Sequence, residues 1–332
     1  MNAADDKPSL LSKPAGAAVR NHAIRLMHKT SAASERLPNE GDSEALHDFR
    51  VALRRLRTWL RAYGKQAGVG NKLLLRLKDL ARVTSRARDA EVGLGWLNRQ
   101  RATLAERQLA GLNWLASHLE EEKEHAYKYI LSHVPGEWAA QEGKLYKRLG
   151  REDASPDEDF APVASQQLLF FYDRLARRID KVQSLTDISA VHRVRISAKH
   201  LRYLLEPLCP EIPDAVHAVT QLTAIQDRLG ELHDASVLLY RLTDATETAA
   251  MEDAKAHLGL ILSGDLHEDE VADIRSHDAQ PGLLVLTHRA KAYETKLFNR
   301  VLEHLHSMEV QRLLDQARDI AEFLAIPRAM AE

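Results

Sequence analysis

One cysteine, Cys209, is all that 332 residues contain. It excludes an intramolecular disulfide and any cluster built from several thiolates. Aromatic residues make up 5%, and runs rich in Val, Ile, Tyr and Phe hardly occur, which argues against strands. Only 15 Gly and 11 Pro punctuate the chain, so long helices are permitted. No apolar run is long enough to span a bilayer; the longest, such as Leu168 to Tyr172, are patches on a helix face. The start, MNAADDKPSLLSK, has no apolar core of a secretory signal, so the cytoplasm is the expected compartment.

What remains is an ordinary globular composition, 45% apolar and 28% charged, in a chain long enough for one large or two smaller domains. The net charge of −2 hides a segregation. Residues 47–88 hold twelve Arg or Lys against two acids, Asp48 and Asp79. The balancing acids lie elsewhere: Glu120 to Glu122 and Glu124, residues 152–159, and Asp265 to Asp278. Segregated charge makes a focused positive field without a basic pI.

The chain also repeats itself at an offset of 145 residues. His47-x-x-Arg50-x-x-x-Arg54-Arg55-Leu56-Arg57 lies over His192-x-x-Arg195-x-x-x-Lys199-His200-Leu201-Arg202. Without a gap the register continues to Leu77 over Leu222, Arg88-Asp89-Ala90 over His233-Asp234-Ala235, and Val92 over Val237. A shared register over nearly fifty residues marks an internal duplication. Apolar spacing predicts helices at 15–36, 43–66, 71–87, 88–133 and 138–148 in the first half. Asp42 or Ser43 can cap the second of these, and Gly64, Gly68 and Gly70 end it. The second half gives 161–184, 188–207, 213–230, 231–248, 281–307 and 308–325, with a polar loop or short helix at 263–280. The expected divisions are a first half at 12–150, an acidic linker at 151–159, and a second half at 160–326.

Helical geometry turns the repeat into a site. At about 100° per residue, His47, Arg50, Arg54, Arg57 and Arg61 fall within roughly 80° of one another. Phe49, Leu53, Leu56, Leu60 and Tyr63 occupy the neighbouring arc. His192, Arg195, Lys199 and Arg202 repeat the stripe beside Val194, Ala198, Leu201 and Leu205, but Glu206 stands where Arg61 would recur. Like charges at i,i+3 and i,i+4 repel, and a helix selected for stability alone would interleave Glu. A single stripe is most simply a solvated face of long cationic stems. A stripe duplicated in register points to anion binding, since Arg offers planar multi-donor contacts to phosphate and Lys a compact charge. Lys78, Arg82, Arg86 and Arg88 can add a second wall from the following helix, with Arg228 and His233 at matching positions of the other half. The stripes are expected to be exposed, and protonation of His47 and His192 to strengthen anion binding as pH falls through about 6.5.

These residues resemble the CHAD family, the conserved-histidine α-helical domain. The resemblance rests on His47-x-x-Arg50-Val-x-x-Arg54-Arg55-Leu-Arg57 with Ala87-Arg88-Asp89. Its second set is His192-x-x-Arg195-Ile-x-x-Lys199-x-Leu-Arg202-Tyr203 and Gln226-Asp227-x-Leu-Gly230-Glu231-Leu-His233-Asp234. It implies an all-α fold, two tandem four-helix-bundle-like repeats around a basic central cavity. It further implies non-catalytic binding of inorganic polyphosphate at polyphosphate granules, with granule proteins as further partners and no cofactor. Two other readings compete. His47-Asp48 and His233-Asp234 could be the metal pairs of a phosphohydrolase, but the duplication places Arg193 over Asp48 and Arg88 over His233. A metal pair is not exchanged for arginine in its own copy, and arginines repel a divalent cation. A nucleic-acid binder wants the same cations. It also wants aromatics to stack bases or Asn and Gln to read them, and the stripe offers almost none.

Overall fold

The computed structural model describes residues 9–39, 42, 44–151, 158–184, 187–263 and 279–326. Among them every regular element is helical. In chain order these are α1 (Ala15–Arg36), α2 (Ala45–Ala62), α3 (Asn71–Val83), α4 (Ser85–Arg101), α5 (Leu109–Leu149), α6 (Phe160–Ile179), α7 (Ile188–Leu205), α8 (Pro213–Ser263), α9 (Gln280–Leu305) and α10 (Met308–Ala325). Asp42 accepts from the Glu44 N–H at 3.2 Å just ahead of α2. Ser43, most of the acidic linker, and the loop expected at 263–280 lie outside the described residues. Past Tyr63 the chain turns at Gly68, whose φ of +63° is the left-handed value that glycine adopts at least cost.

Three boundaries differ from the periodicity reading. The segment expected at 88–133 is divided, since α4 ends at Arg101, and its remainder runs on through the one expected at 138–148 as a single α5. Pro135 lies inside α5 without ending it. The helices expected at 213–230 and 231–248 are one continuous α8. In the first half the matching junction is broken at Thr84, whose hydroxyl bonds the Ala81 carbonyl at 2.9 Å.

The helices gather into two compact units. The first comprises 1–84, 129–229 and 301–332; the second comprises 85–128 and 230–300. Each unit therefore draws on both halves of the sequence. Helices α1 and α6 start 145 residues apart, at Ala15 and Phe160, and Thr84 and Leu229 close the first unit's segments at the same offset.

In the first unit α1 packs on α2, α6 on α7 and α10, and α2 on α3 and α7. The apolar arc of α2 is driven inward as expected: Phe49, Leu53, Leu56 and Leu60 are wholly buried. So are Val194, Ala198, Leu201 and Leu205 of α7. Removing each large side chain from water contributes roughly 1.5–3 kcal/mol, which fixes how both helices are rotated about their axes. Trp59 anchors one end, donating its Nε1–H to the Val19 carbonyl at 3.0 Å and packing against Tyr63 and Phe160. The second unit has its own core, including Leu94, Leu97, Leu112, Leu115, Leu238, Leu242, Leu283 and Leu286. There α5 and α9 approach backbone to backbone. A Cβ on Gly111 would lie 2.3 Å from the Ala279 carbonyl oxygen, and one on Gly282 would lie 2.2 Å from that of Gln108.

Candidate functional site

Burial of the leucine arcs turns the two cationic helices toward each other. Helix α2 packs against α7, and across this seam Arg54 reaches Tyr203 and Arg55 reaches Glu206. Arg50, Arg54, Arg57, His192, Arg195, Lys199 and Arg202 are half-buried, and only His47 and Arg61 are fully exposed. The expectation of an exposed stripe is thus corrected, since the neighbouring helix covers the stems.

Three stripe arginines donate to hydroxyls. Arg50 Nη1 donates to Thr84 Oγ1 at 3.1 Å, Arg54 Nε to the Tyr203 hydroxyl at 3.1 Å, and Arg202 Nη1 to Thr223 Oγ1 at 3.1 Å. Hydroxyl partners orient a guanidinium without neutralising its charge. Tyr203 also carries two cations over its ring, Arg202 at 4.9 Å and Arg55 at 5.6 Å from the centroid.

Arg55 is different. It forms a two-pronged ion pair with Glu206, Nε to Oε2 at 2.8 Å and Nη2 to Oε1 at 3.1 Å. Arg202 Nε also lies 3.5 Å from Glu206. Glu206 is more than a missing cation; it ties α2 to the end of α7.

Crowded cations act on one another. Burial and the charges of Arg61 and Arg54 push the Arg57 guanidinium below its usual value. Burial, with Arg195, Lys199 and Arg193 around it, pushes His192 down. His200 is driven further, to about 4, by burial and then by Arg61, Arg174, Arg178 and Arg57. Its Nδ1 is buried with no hydrogen-bond partner among the described residues, and its ring edge meets Phe171 at 5.5 Å.

Arg174 and Arg178 of α6 were not singled out from the sequence. Arg178 is fixed by bonds to the Arg193 carbonyl at 2.9 Å and Ser197 Oγ at 2.7 Å. The signal was present as a basic pair at i,i+4, but only Arg174 has a cationic match in the first half, Lys29, while Ala33 stands opposite Arg178.

The remaining candidates are dispersed. Lys78 and Arg82 on α3 are exposed, and Arg82 lies 3.4 Å from Asp79. Arg228 is exposed on α8 and close enough to His304 to lower its protonation. Arg86, Arg88 and His233 belong to the second unit, where Arg88 pairs with Glu91 at 3.2 Å. Asp48, half of a candidate metal pair, instead binds Arg36 at 2.6 Å. Among the described residues no three His, Cys, Asp or Glu side chains are placed to share a metal ion.

The architecture defines a class: all-helical proteins in which two helices bearing cationic stripes, α2 and α7, pack against each other. The sequence matches the CHAD domain model over residues 23–243, and the chain belongs to this family. Two solved structures share the fold. The CHAD domain from the plant Ricinus communis is 20% identical, with a TM-score of 0.60 over 80% of this chain and 92% of that one. PptA from Streptomyces chartreusis is 15% identical, with a TM-score of 0.64 over 88% of this chain and 99% of that one. No curated protein sequence matches. No helix among the described residues is long and apolar enough to cross a membrane.

Proposed function

We propose that this protein binds inorganic polyphosphate along the α2–α7 seam, without catalysis, and that this binding places it at polyphosphate granules in the cytoplasm. The observation that carries the reading is the seam itself. Arg50, Arg54, Arg57, Arg195, Lys199 and Arg202 come from two helices that touch, and Arg50, Arg54 and Arg202 each donate to a hydroxyl. Buried stems make the row rigid before a ligand arrives, so little side-chain entropy is lost on binding. A linear polyanion satisfies such a row, because each bound unit holds the next near the following cation. Nothing in the row stacks a base, which disfavours nucleic acid beyond incidental contact at low salt.

Binding of long polyphosphate should weaken linearly as log affinity against log salt, because several counterions are released together. The test is a titration at several salt concentrations with long polyphosphate, single-stranded DNA and orthophosphate. A flat salt plot, or equal affinity for orthophosphate, defeats the proposal.

A further inference from the structure

The duplication makes α2 and α7 meet with an internal symmetry, and one pair of positions breaks it. Later residues of α2 face earlier residues of α7: Arg55 reaches Glu206, whereas Arg61 acts on His200. At the repeat offset of 145, Arg55 corresponds to His200 and Arg61 to Glu206. The same two positions therefore meet twice, once at each end of the crossing. At one end they form a neutral ion pair. At the other they are a histidine and an arginine, and α6, whose Phe171 ring lies 5.5 Å from that of His200 and whose Arg178 donates to Ser197 of α7 at 2.7 Å, adds Arg174 and Arg178. Arg57, Arg61 and Arg174 have no hydrogen-bonded or ion-paired acceptor among the described residues. Asp79, the acid that acts on Arg57, lies beside Arg82. One end of the seam is closed electrostatically, and the other gathers arginines from two helices, α2 and α6, around the half-buried His200 ring of α7.

A row of cations suits the interior of a chain, but a focus of cations suits its end. Interior units of polyphosphate carry one negative charge and two free oxygens each. A terminal phosphoryl, like a phosphate monoester, carries about −1.5 to −2 at pH 7 and three acceptor oxygens. Guanidiniums converging from two helices, with the His200 ring of a third beside them, can serve three oxygens, whereas cations along a single line cannot.

We propose that Arg57, Arg61, Arg174 and Arg178, converging beside His200 where α2, α6 and α7 meet, form a subsite for the terminal phosphoryl group of an oligophosphate. The subsite rests on the seam reading and gives it a direction, with the chain end at Arg61 and the chain body running along the stripes. The His200 ring, neutral at working pH, presents a nitrogen that can donate to the group without adding to the repulsion among the arginines.

The test compares linear tripolyphosphate, which has ends, with a cyclic metaphosphate of greater total charge, which has none. The intact protein should bind the linear form more tightly despite its smaller charge. Arg61→Gln with Arg174→Gln should lower linear affinity about tenfold or more and leave the cyclic form nearly unchanged. Arg50→Gln with Arg54→Gln should instead weaken long chains and keep the linear preference. Arg61→Glu, at an exposed position, gives this end the residue type of the neutral end and should abolish the preference with an unchanged melting curve. ATP presents the same terminal group on a nucleoside; tighter binding of ATP than of tripolyphosphate would overturn the assignment to a polymer end. Long-chain binding with no linear preference, or equal losses for linear and cyclic forms in the Arg61 variants, overturns the subsite alone. No long-chain binding by the intact protein overturns the seam reading and the subsite together.

Discussion

Replacing Glu206 with Gln should lower stability and raise polyphosphate affinity at once. Glu206 accepts two parallel bonds from Arg55, and the two side chains are 23% and 35% exposed. Exposed ion pairs contribute up to about 1 kcal/mol, and losing one partner of a buried pair costs about 3–5. This half-buried, two-pronged pair lies between, and Gln retains one acceptor, so a loss of about 1–2 kcal/mol is expected. Denaturant unfolding would read it as a lower midpoint. The same change removes a negative charge beside the stripe and releases Arg55, with Arg202 3.5 Å from the same carboxylate. If the freed guanidinium takes one further phosphate, the salt slope steepens by about 0.7–0.9 and affinity at low salt rises severalfold, up to about tenfold. Opposite signs are the diagnostic. A variant that loses both stability and affinity, or keeps the parent salt slope, would show that Glu206 does not hold cations back from the ligand.

Alanine at Arg50, Arg54 and Arg57 together, or at Arg195, Lys199 and Arg202 together, should cost most of the affinity for long polyphosphate, with the first set costing more. Because Arg50, Arg54 and Arg202 are bonded to Thr84, Tyr203 and Thr223, both variants should also lose about 1–3 kcal/mol in denaturant titrations; parent-like binding in both would reduce the stripes to scaffolding. Burial, together with the charges of Arg25 and Lys29, holds His22 neutral down to about 3; burial and four arginines hold His200 neutral to about 4. Both folded values are depressed, so their contribution is complete above about pH 6.5 and is lost as pH falls towards the folded values, at about 1.4 kcal/mol per pH unit per ring. His200→Gln should flatten that decline between about pH 6.5 and about pH 4, and an unchanged slope would remove His200 from the account. Gly111→Ala should destabilise the second unit by about 2 kcal/mol or more, because its Cβ would strike backbone atoms of α9 that cannot rotate away; a parent-like unfolding curve would show that the two helices separate freely.

Where the apolar period was long and regular, the sequence was legible. Helices α1, α6, α7 and α10 fall within a few residues of the expected spans, because each carries one continuous buried face. Junctions were less so. Gly230 inside α8 and Pro135 inside α5 read as interruptions, yet both helices continue. Tertiary packing outweighs a local cost of about 1–3 kcal/mol for such residues. The break at Arg101 carries no Gly or Pro, and it lies close to the Gly111–Gly282 approach that only the folded chain creates.

The site divides along the same line. Sequence alone determined the two stripes, since cation spacing is set by helical geometry. It also determined that the stripes adjoin the core arcs, and the motif residues themselves carried the family resemblance to CHAD. Only the tertiary structure decided that α2 and α7 pack against each other, because period says which face is buried and not against what. It decided too that Glu206 is the partner of Arg55, that α6 contributes Arg174 and Arg178, and that Arg86, Arg88 and His233 belong to a different compact unit from the stripes. Those outcomes depend on residues more than a hundred positions apart meeting in space, and no local spacing encodes that.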